Sequence, residues 1–127
     1  MGNNISPVLD PDTISALRRA RVEYGSPLLI RQLVEIYRTN APKRIEQLRG
    51  AIAGGDARTL GFVAHTLKTN CAMLGATAMA AMCATLEECG DKATFDEAAA
   101  GLTQVEAEFE RVVAALAQLL TEEPENT

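Results

Sequence analysis

The sequence is poor in aromatic residues and contains no tryptophan: Phe, Tyr and Trp make up 4% of its 127 residues. Its hydrophobic fraction is nevertheless 47%. The apolar content therefore comes mostly from Ala, Leu, Val, Ile and Met, a composition that favours helices. No apolar run reaches the roughly 18 residues of a membrane-spanning helix. A chain of this length predicts one domain, long enough to bury a hydrophobic core.

Basic residues are fewer than acidic residues. The sequence has twelve Lys and Arg residues and seventeen Asp and Glu residues, for a formal net charge of −5. Neutralising nucleic-acid phosphates requires clustered cations, so this balance argues against a general nucleic-acid binder. The same balance argues against binding to an anionic membrane surface.

The three cysteines, Cys71, Cys83 and Cys89, lack the spacing of a CxxC motif. The N-terminal segment MGNNISPVLD lacks the basic stretch and apolar core of a secretory signal. Together these features predict reduced thiols and a cytoplasmic location.

Nowhere does the apolar pattern alternate as in a strand; it has helical spacing between Gly and Pro breaks. Asp10-Pro11-Asp12 opens a first short helix, which Gly25-Ser26-Pro27 closes. The later segments run over residues 33–52, from 57 to about 74, from 77 to the break at Gly90-Asp91, and over 95–119. The apolar phase continues through Pro42, which predicts one kinked helix there rather than two.

Several amphipathic helices joined by short loops must share one core. The sequence therefore predicts an all-α fold, an antiparallel four-helix bundle with a short additional N-terminal helix. We expect a single domain over residues 1–127 with an ordered core over about 8–120. Residues 1–7 and 121–127 are expected to be flexible tails.

His65 is the only histidine, and it falls in the third predicted helix. At about 100° per residue, four apolar side chains cluster on the side opposite His65. They are Leu60, Val63, Leu67 and Leu74. The wheel thus predicts that His65 faces solvent and is not a core residue.

Several neighbours share the predicted face of His65. Within about 60° of it lie Arg58, Gly61, Lys68, Thr69, Ala72 and Ala76. Gly61 costs a helix about 1 kcal/mol relative to Ala, so its presence suggests access for another molecule. Phe62 and Met73 lie slightly further round the helix. They could form an apolar docking patch or pack on a neighbouring helix.

This pattern of residues suits phosphoryl chemistry. A neutral, exposed imidazole is a good nucleophile at pH 7. The ammonium of Lys68, one turn away, could offset the charge of a transferred phosphoryl group. The plainer interpretation is a solvated polar face without function.

A metal site is the main chemical alternative, but its ligands would have to converge on one point. Cys71 lies roughly 120° around the helix from His65, and the other two cysteines show no better spacing. The same geometry argues against a Cys–His nucleophilic pair. We therefore expect no metal ligands, and we interpret the cysteines as small core hydrophobes.

The motif His65-Thr66-Leu67-Lys68, followed by Leu74-Gly75-Ala76, Met82-Cys83 and Leu86-Glu87, resembles the histidine-containing phosphotransfer (HPt) family. Upstream, Val8-Leu9-Asp10, Ala41-Pro42 and Gly55-Asp56 fit the same pattern. The resemblance covers about residues 8–120. It implies that His65 is the phosphorylated residue of a two-component phosphorelay and that Lys68 stabilises the phosphoryl charge.

The resemblance also implies the partners. Receiver domains of response regulators would exchange the phosphoryl group with His65, and a hybrid sensor histidine kinase would supply it. The receiver would bring the Mg²⁺ and the acidic pocket, so this chain needs no cofactor and is not itself a kinase. We expect a bacterial protein that is a monomer, with a docking surface formed by Arg58, Gly61, Phe62, Thr69, Ala72 and Met73.

One departure concerns Thr69, where the family usually has Gly directly after the lysine. Thr69 could narrow partner choice, slow transfer, or hydrogen-bond the phosphoryl group. It also leaves open a non-catalytic alternative, a helical adaptor that binds a receiver or kinase without phosphotransfer.

Overall fold

Five α-helices make up the computed structural model, which describes residues 7–125. They are α1 (Pro11–Glu23), α2 (Leu29–Gly54), α3 (Ala57–Met73), α4 (Thr77–Lys92) and α5 (Phe95–Leu120). No strand occurs within this described range. The predicted all-α fold, a four-helix bundle with an additional N-terminal helix, is confirmed.

Short turns reverse the chain between the long helices and make neighbours antiparallel. Gly55 (φ 67°) and Gly75 (φ 77°) adopt the left-handed conformation that lets a helix end sharply. The Asp56 side chain then accepts a hydrogen bond from the Thr59 N–H at 3.1 Å and caps the start of α3. These caps place α3 beside both α2 and α4, while α5 closes the bundle against α2 and α4.

The core contains residues from all five helices. α1 contributes Ile14 alone, and each long helix contributes an aliphatic stripe. The largest fully buried side chains are Ile30, Leu48, Leu60, Leu67, Met79, Leu86 and Leu116. Since apolar burial is worth about 25 cal/mol per Å², these stripes fix which face each helix turns to solvent.

Two details of the predicted helices are corrected by the packing. α4 continues through Gly90-Asp91 to Lys92 and ends at Ala93, which has φ 55°. Val22 and Ile36, whose positions fit the apolar spacing of α1 and α2, are nevertheless 75% and 57% exposed. Pro42 does lie inside one continuous helix, as the sequence predicted.

Residues 121–125, expected to belong to a flexible tail, contact the bundle in the structure. The side chain of Glu123 is 1% exposed and forms ion pairs with Arg18 and Arg21 of α1. Arg31 of α2 donates hydrogen bonds to backbone carbonyls at and beyond the end of α5. These charge-assisted bonds hold the segment against the bundle, which the acidic composition alone did not indicate. The remaining predicted tail residues, 1–6 and 126–127, lie outside the described residues.

Candidate functional site

His65 lies near the middle of α3 with its side chain 59% exposed. The opposite side of α3 is buried, through Leu60, Val63, Ala64, Leu67 and Cys71. This agrees with the orientation that the helical wheel predicted for His65. The wheel was wrong for Ala76, which is buried because α3 ends at Met73 and the chain turns before it. The core stripe therefore fixes the direction in which the imidazole points.

A carboxylate from α4 joins His65 and Lys68. Glu87 Oε2 lies 3.0 Å from Nδ1 of His65, and Lys68 Nζ donates to Glu87 Oε1 at 2.7 Å. An ionised carboxylate can only accept hydrogen bonds. The Nδ1 nitrogen therefore carries the hydrogen in the neutral ring, and Nε2 keeps its lone pair.

These two contacts favour the ionised form of the Glu87 carboxyl group. The hydrogen bond from Lys68, and after it that from His65, holds the pKa of Glu87 below its usual range, although partial desolvation opposes them. Glu87 thus remains an anion at neutral pH. A permanent anion beside Nδ1 fixes both the tautomer and the ring orientation.

Glu87 was not among the predicted site residues. The register between α3 and α4 could have identified it, because the backbones of the two helices are in close contact at Gly61 and Gly90. One turn forward from Gly61 is His65, and one turn back from Gly90 is Glu87. In an antiparallel pair these positions face each other. The sequence alone did not show that the two glycines meet.

The close approach depends on Gly90 more than on Gly61. A Cβ added at Gly90 would lie 2.7 Å from Gly61 N and 2.8 Å from its Cα. A Cβ at Gly61 would meet nothing nearer than the Glu87 carbonyl at 3.9 Å. Gly61 contributes backbone atoms to this contact, but because a Cβ would fit at position 61, the packing requires a glycine only at position 90.

The predicted docking residues lie around His65 on two sides. Toward α4, a shallow groove is lined by Arg58, Gly61 and Phe62 together with His65 and Glu87. On the exposed crest and toward α2 lie Thr69, Ala72 and Met73. Phe62 and Met73 are 72% and 51% exposed. Neither side chain is therefore buried against a neighbouring helix, which was one of the two roles left open for them.

The hydroxyl of Thr69 is already hydrogen-bonded inside the helix. Its Oγ1 donates to the backbone carbonyl of His65 at 3.2 Å. Such bonding to the carbonyl four residues earlier fixes the side-chain rotamer. Thr69 therefore lies beside His65 with its hydroxyl hydrogen already engaged.

The three cysteines lie in the core and not on the exposed face that carries His65. Cys71, Cys83 and Cys89 are free thiols and all are buried, as expected for small core hydrophobes. Burial raises the pKa of Tyr37, whose hydroxyl contacts Cys71 Sγ and Met79 Sδ in the same core.

Among residues 7–125, no cluster of three or more His, Cys, Asp or Glu side chains could hold a metal ion. No helix in that range has the length and apolarity needed to cross a membrane.

Comparisons with known proteins agree with this geometry. A family model described as "Hpt domain" matches residues 32–122. The crystal structure of histidine-containing phosphotransfer protein B (HptB) from Pseudomonas aeruginosa PAO1 is similar to this chain, with a TM-score of 0.79 and 28% identity. The match covers 94% of this chain and 100% of that one. A search of curated proteins found no significant match.

Proposed function

The chain belongs to the Hpt domain family of histidine phosphotransfer proteins in two-component signalling, and from this premise we propose that His65 is its phosphorylated residue. The observation that carries the proposal is the contact between His65 Nδ1 and Glu87. It leaves Nε2 unprotonated on an exposed ring. Nε2 is therefore the nucleophile.

In the proposed transfer, the Nε2 lone pair attacks the phosphorus of a receiver's aspartyl phosphate. The N–P bond forms, the acyl O–P bond breaks, and the aspartate carboxylate leaves. Because Nδ1 keeps its hydrogen, the phosphorylated ring becomes cationic, and Glu87 stabilises that charge. No proton has to move, so the step reverses by the same path.

Lys68 is proposed to stabilise the phosphoryl oxygens. Its ammonium lies one turn from His65 and contacts Glu87 at 2.7 Å. A flexible lysine can keep that contact while it turns toward the incoming phosphoryl group. The remaining stabilisation, including Mg²⁺ and its acidic ligands, is assigned to the receiver. The chain is then a phosphocarrier whose catalytic groups come partly from its partner, not a kinase.

The docking surface is proposed to comprise Phe62, Thr69, Ala72 and Met73 around His65, with Arg58 and Gly61 at its edge. Exposed apolar side chains beside a nucleophile suit a partner that docks transiently. The partners are receiver domains and a hybrid sensor kinase, and the relay is assigned to the cytoplasm of a bacterium. The protein is proposed to act as a monomer.

The test is phosphoryl transfer from a labelled receiver domain to three forms of the protein. Wild type should gain label that is acid-labile and alkali-stable, as a phosphohistidine is, and His65→Gln should gain none. Lys68→Ala should keep its helicity but transfer more slowly. Equal labelling of wild type and His65→Gln would remove His65 from the proposal. Receiver binding without any labelling would favour the adaptor function.

A further inference from the structure

The two halves of the bundle carry opposite charge. α2 and α3 together contain seven Lys and Arg residues and two Glu residues, a formal net charge of +5. α4 and α5 together contain eight Asp and Glu residues and two basic residues, a net charge of −6. The overall charge of −5 conceals this separation. His65 lies at the boundary, on α3 but in contact with α4 through Glu87.

Apart from the contact of His65 with Glu87, two ion pairs in the described residues connect the two halves. Lys68 pairs with Glu87, and Arg49 pairs with Glu106. Most of the opposite charges on the two halves therefore do not pair with one another. The remaining cations of α2 and α3 are free to interact with a partner protein.

Three cations near His65 have no carboxylate within salt-bridge distance among residues 7–125. Lys43 and Arg58 are exposed and unpaired, and Arg44 donates only to the uncharged side chain of Gln47. Arg58 lines the same groove as His65. The positive charge of these residues is therefore available to a partner.

Helical register brings Lys43 and Arg44 to the level of His65. A cavity between α2 and α3 is lined by Ile36 and Asn40 of α2 and by Asn70 and Met73 of α3. Because the helices are antiparallel, we infer that Ile36 is level with Met73 and Asn40 with Asn70. Continuing this antiparallel pairing by one turn places Lys43 and Arg44 opposite residues 66–67 of α3. Both lie within about 60° of Asn40 on the α2 wheel, so they are on the side of α2 that borders α3.

We propose that Lys43, Arg44 and Arg58 form a basic rim that selects receiver domains whose surface around the phosphoacceptor aspartate is acidic. This rests on the proposed function, since the partner docks on His65. Charge complementarity argues for this occupant: the rim is positive and unpaired, whereas the α4–α5 side is negative and would repel the same surface. Rim charges of this kind raise the association rate and exclude partners of the wrong charge.

Two double variants with the same net charge distinguish the effect of the rim on phosphoryl transfer from the effect of the overall charge. The double variant Lys43→Gln/Arg58→Gln and the control Thr103→Glu/Gln104→Glu each change the net charge by −2. Thr103 and Gln104 are exposed on α5, at the bundle corner opposite α3. The probes are purified receiver domains with acidic or neutral surfaces, phosphorylated with acetyl phosphate and Mg²⁺. The readout is kcat/KM for transfer to His65.

With an acidic receiver, Lys43→Gln/Arg58→Gln should lower kcat/KM by about tenfold at about 20 mM NaCl. That loss should shrink to about twofold at about 500 mM NaCl, where surface charges are screened. The α5 control should stay within about twofold of wild type at both salt concentrations, and a neutral receiver should barely distinguish the three proteins. Equal losses in the two double variants, or a loss independent of salt, would overturn the basic rim.

Chemical labelling separates this proposal from the function on which it rests. Phosphoramidate transfers its phosphoryl group to an accessible imidazole without any docked protein, with ammonia as the leaving group. Wild type and the control Thr103→Glu/Gln104→Glu should be labelled equally at His65. If they are, a failed rim result leaves the phosphocarrier function standing. If wild type accepts label from neither phosphoramidate nor any receiver, both proposals fall.

Discussion

Glu87 Oε2 lies 3.0 Å from Nδ1 of His65, although the two residues belong to different helices and are separated by 22 positions in sequence. The same carboxylate receives the Lys68 ammonium through its other oxygen at 2.7 Å. One side chain of α4 therefore orients both groups that we assign to phosphoryl transfer on α3.

Replacing Glu87 should slow transfer without unfolding the protein. In Glu87→Ala, the ring loses its orientation and the anion that stabilises the phosphorylated imidazole, so we expect a loss of about 10- to 100-fold in rate. Single-turnover transfer from a labelled receiver measures the rate, and ¹⁵N NMR of the ring reports the tautomer. A variant with wild-type rate and an unchanged Nδ1–H tautomer would show that Glu87 does not position His65.

The same carboxylate predicts a pH dependence of stability. The pKa of Glu87 is lower in the folded protein than its ordinary value of 4.5. Its contribution is therefore complete above pH 4.5 and is lost as the pH falls through the lower folded value. Urea unfolding of wild type and Glu87→Gln at several pH values should show a stability difference that narrows below pH 4.5. A difference that widens on acidification would contradict the assigned sign.

The two glycines at the crossing of α3 and α4 should respond in opposite ways to alanine. Gly90→Ala places a Cβ against the Gly61 backbone, and we expect a loss of about 1–3 kcal/mol. Gly61→Ala has room for its Cβ and should gain about 1 kcal/mol from helix propensity. Midpoints of urea unfolding measure both. If Gly61→Ala is stable but transfers poorly, Gly61 acts in docking as the sequence suggested.

Thr69 should matter through its shape and not through its hydroxyl. The hydroxyl hydrogen is engaged by the His65 carbonyl at 3.2 Å, so Thr69→Val should transfer at a rate within about twofold of wild type. Thr69→Gly removes the branched side chain beside the nucleophile and should accept phosphoryl groups from more receivers. Transfer assays over a panel of receiver domains measure both effects. A strong loss in Thr69→Val alone would restore a direct contact between the hydroxyl and the phosphoryl group.

The docked C-terminal segment should contribute to stability. Glu123→Ala leaves the partly buried Arg21 without its carboxylate and leaves Arg18 with Glu122 alone, and we expect a loss of about 2 kcal/mol. Thermal or urea unfolding gives the difference. Glu125→Ala, at an exposed position of the same segment, is the control and should change stability by less than about 0.5 kcal/mol. Similar losses for both would mean that general acidity, and not the buried pairing, is what matters.

Periodicity and punctuation were sufficient to predict the helices, the bundle and the exposed side of α3. The positions of Leu60, Val63 and Leu67 repeat at helical spacing, and burying them necessarily turns His65 outward. Asp56 and Gly75 marked helix ends through local capping, which depends only on neighbouring residues. The family resemblance then nominated His65 and Lys68 for their roles.

Only the tertiary structure brought Glu87 to His65, Gly90 to Gly61 and Glu123 to Arg18. Each contact joins residues from different helices, so it depends on the register between helices, which hydrophobic spacing leaves undetermined. For the same reason Gly90 appeared to break α4, whereas in the structure it lies within the helix and packs against the Gly61 backbone. The sequence by itself determined which faces are buried and that the His65 side chain faces solvent. The packing of α3 against α4 decided which nitrogen of the imidazole contacts a carboxylate and which nitrogen is left exposed.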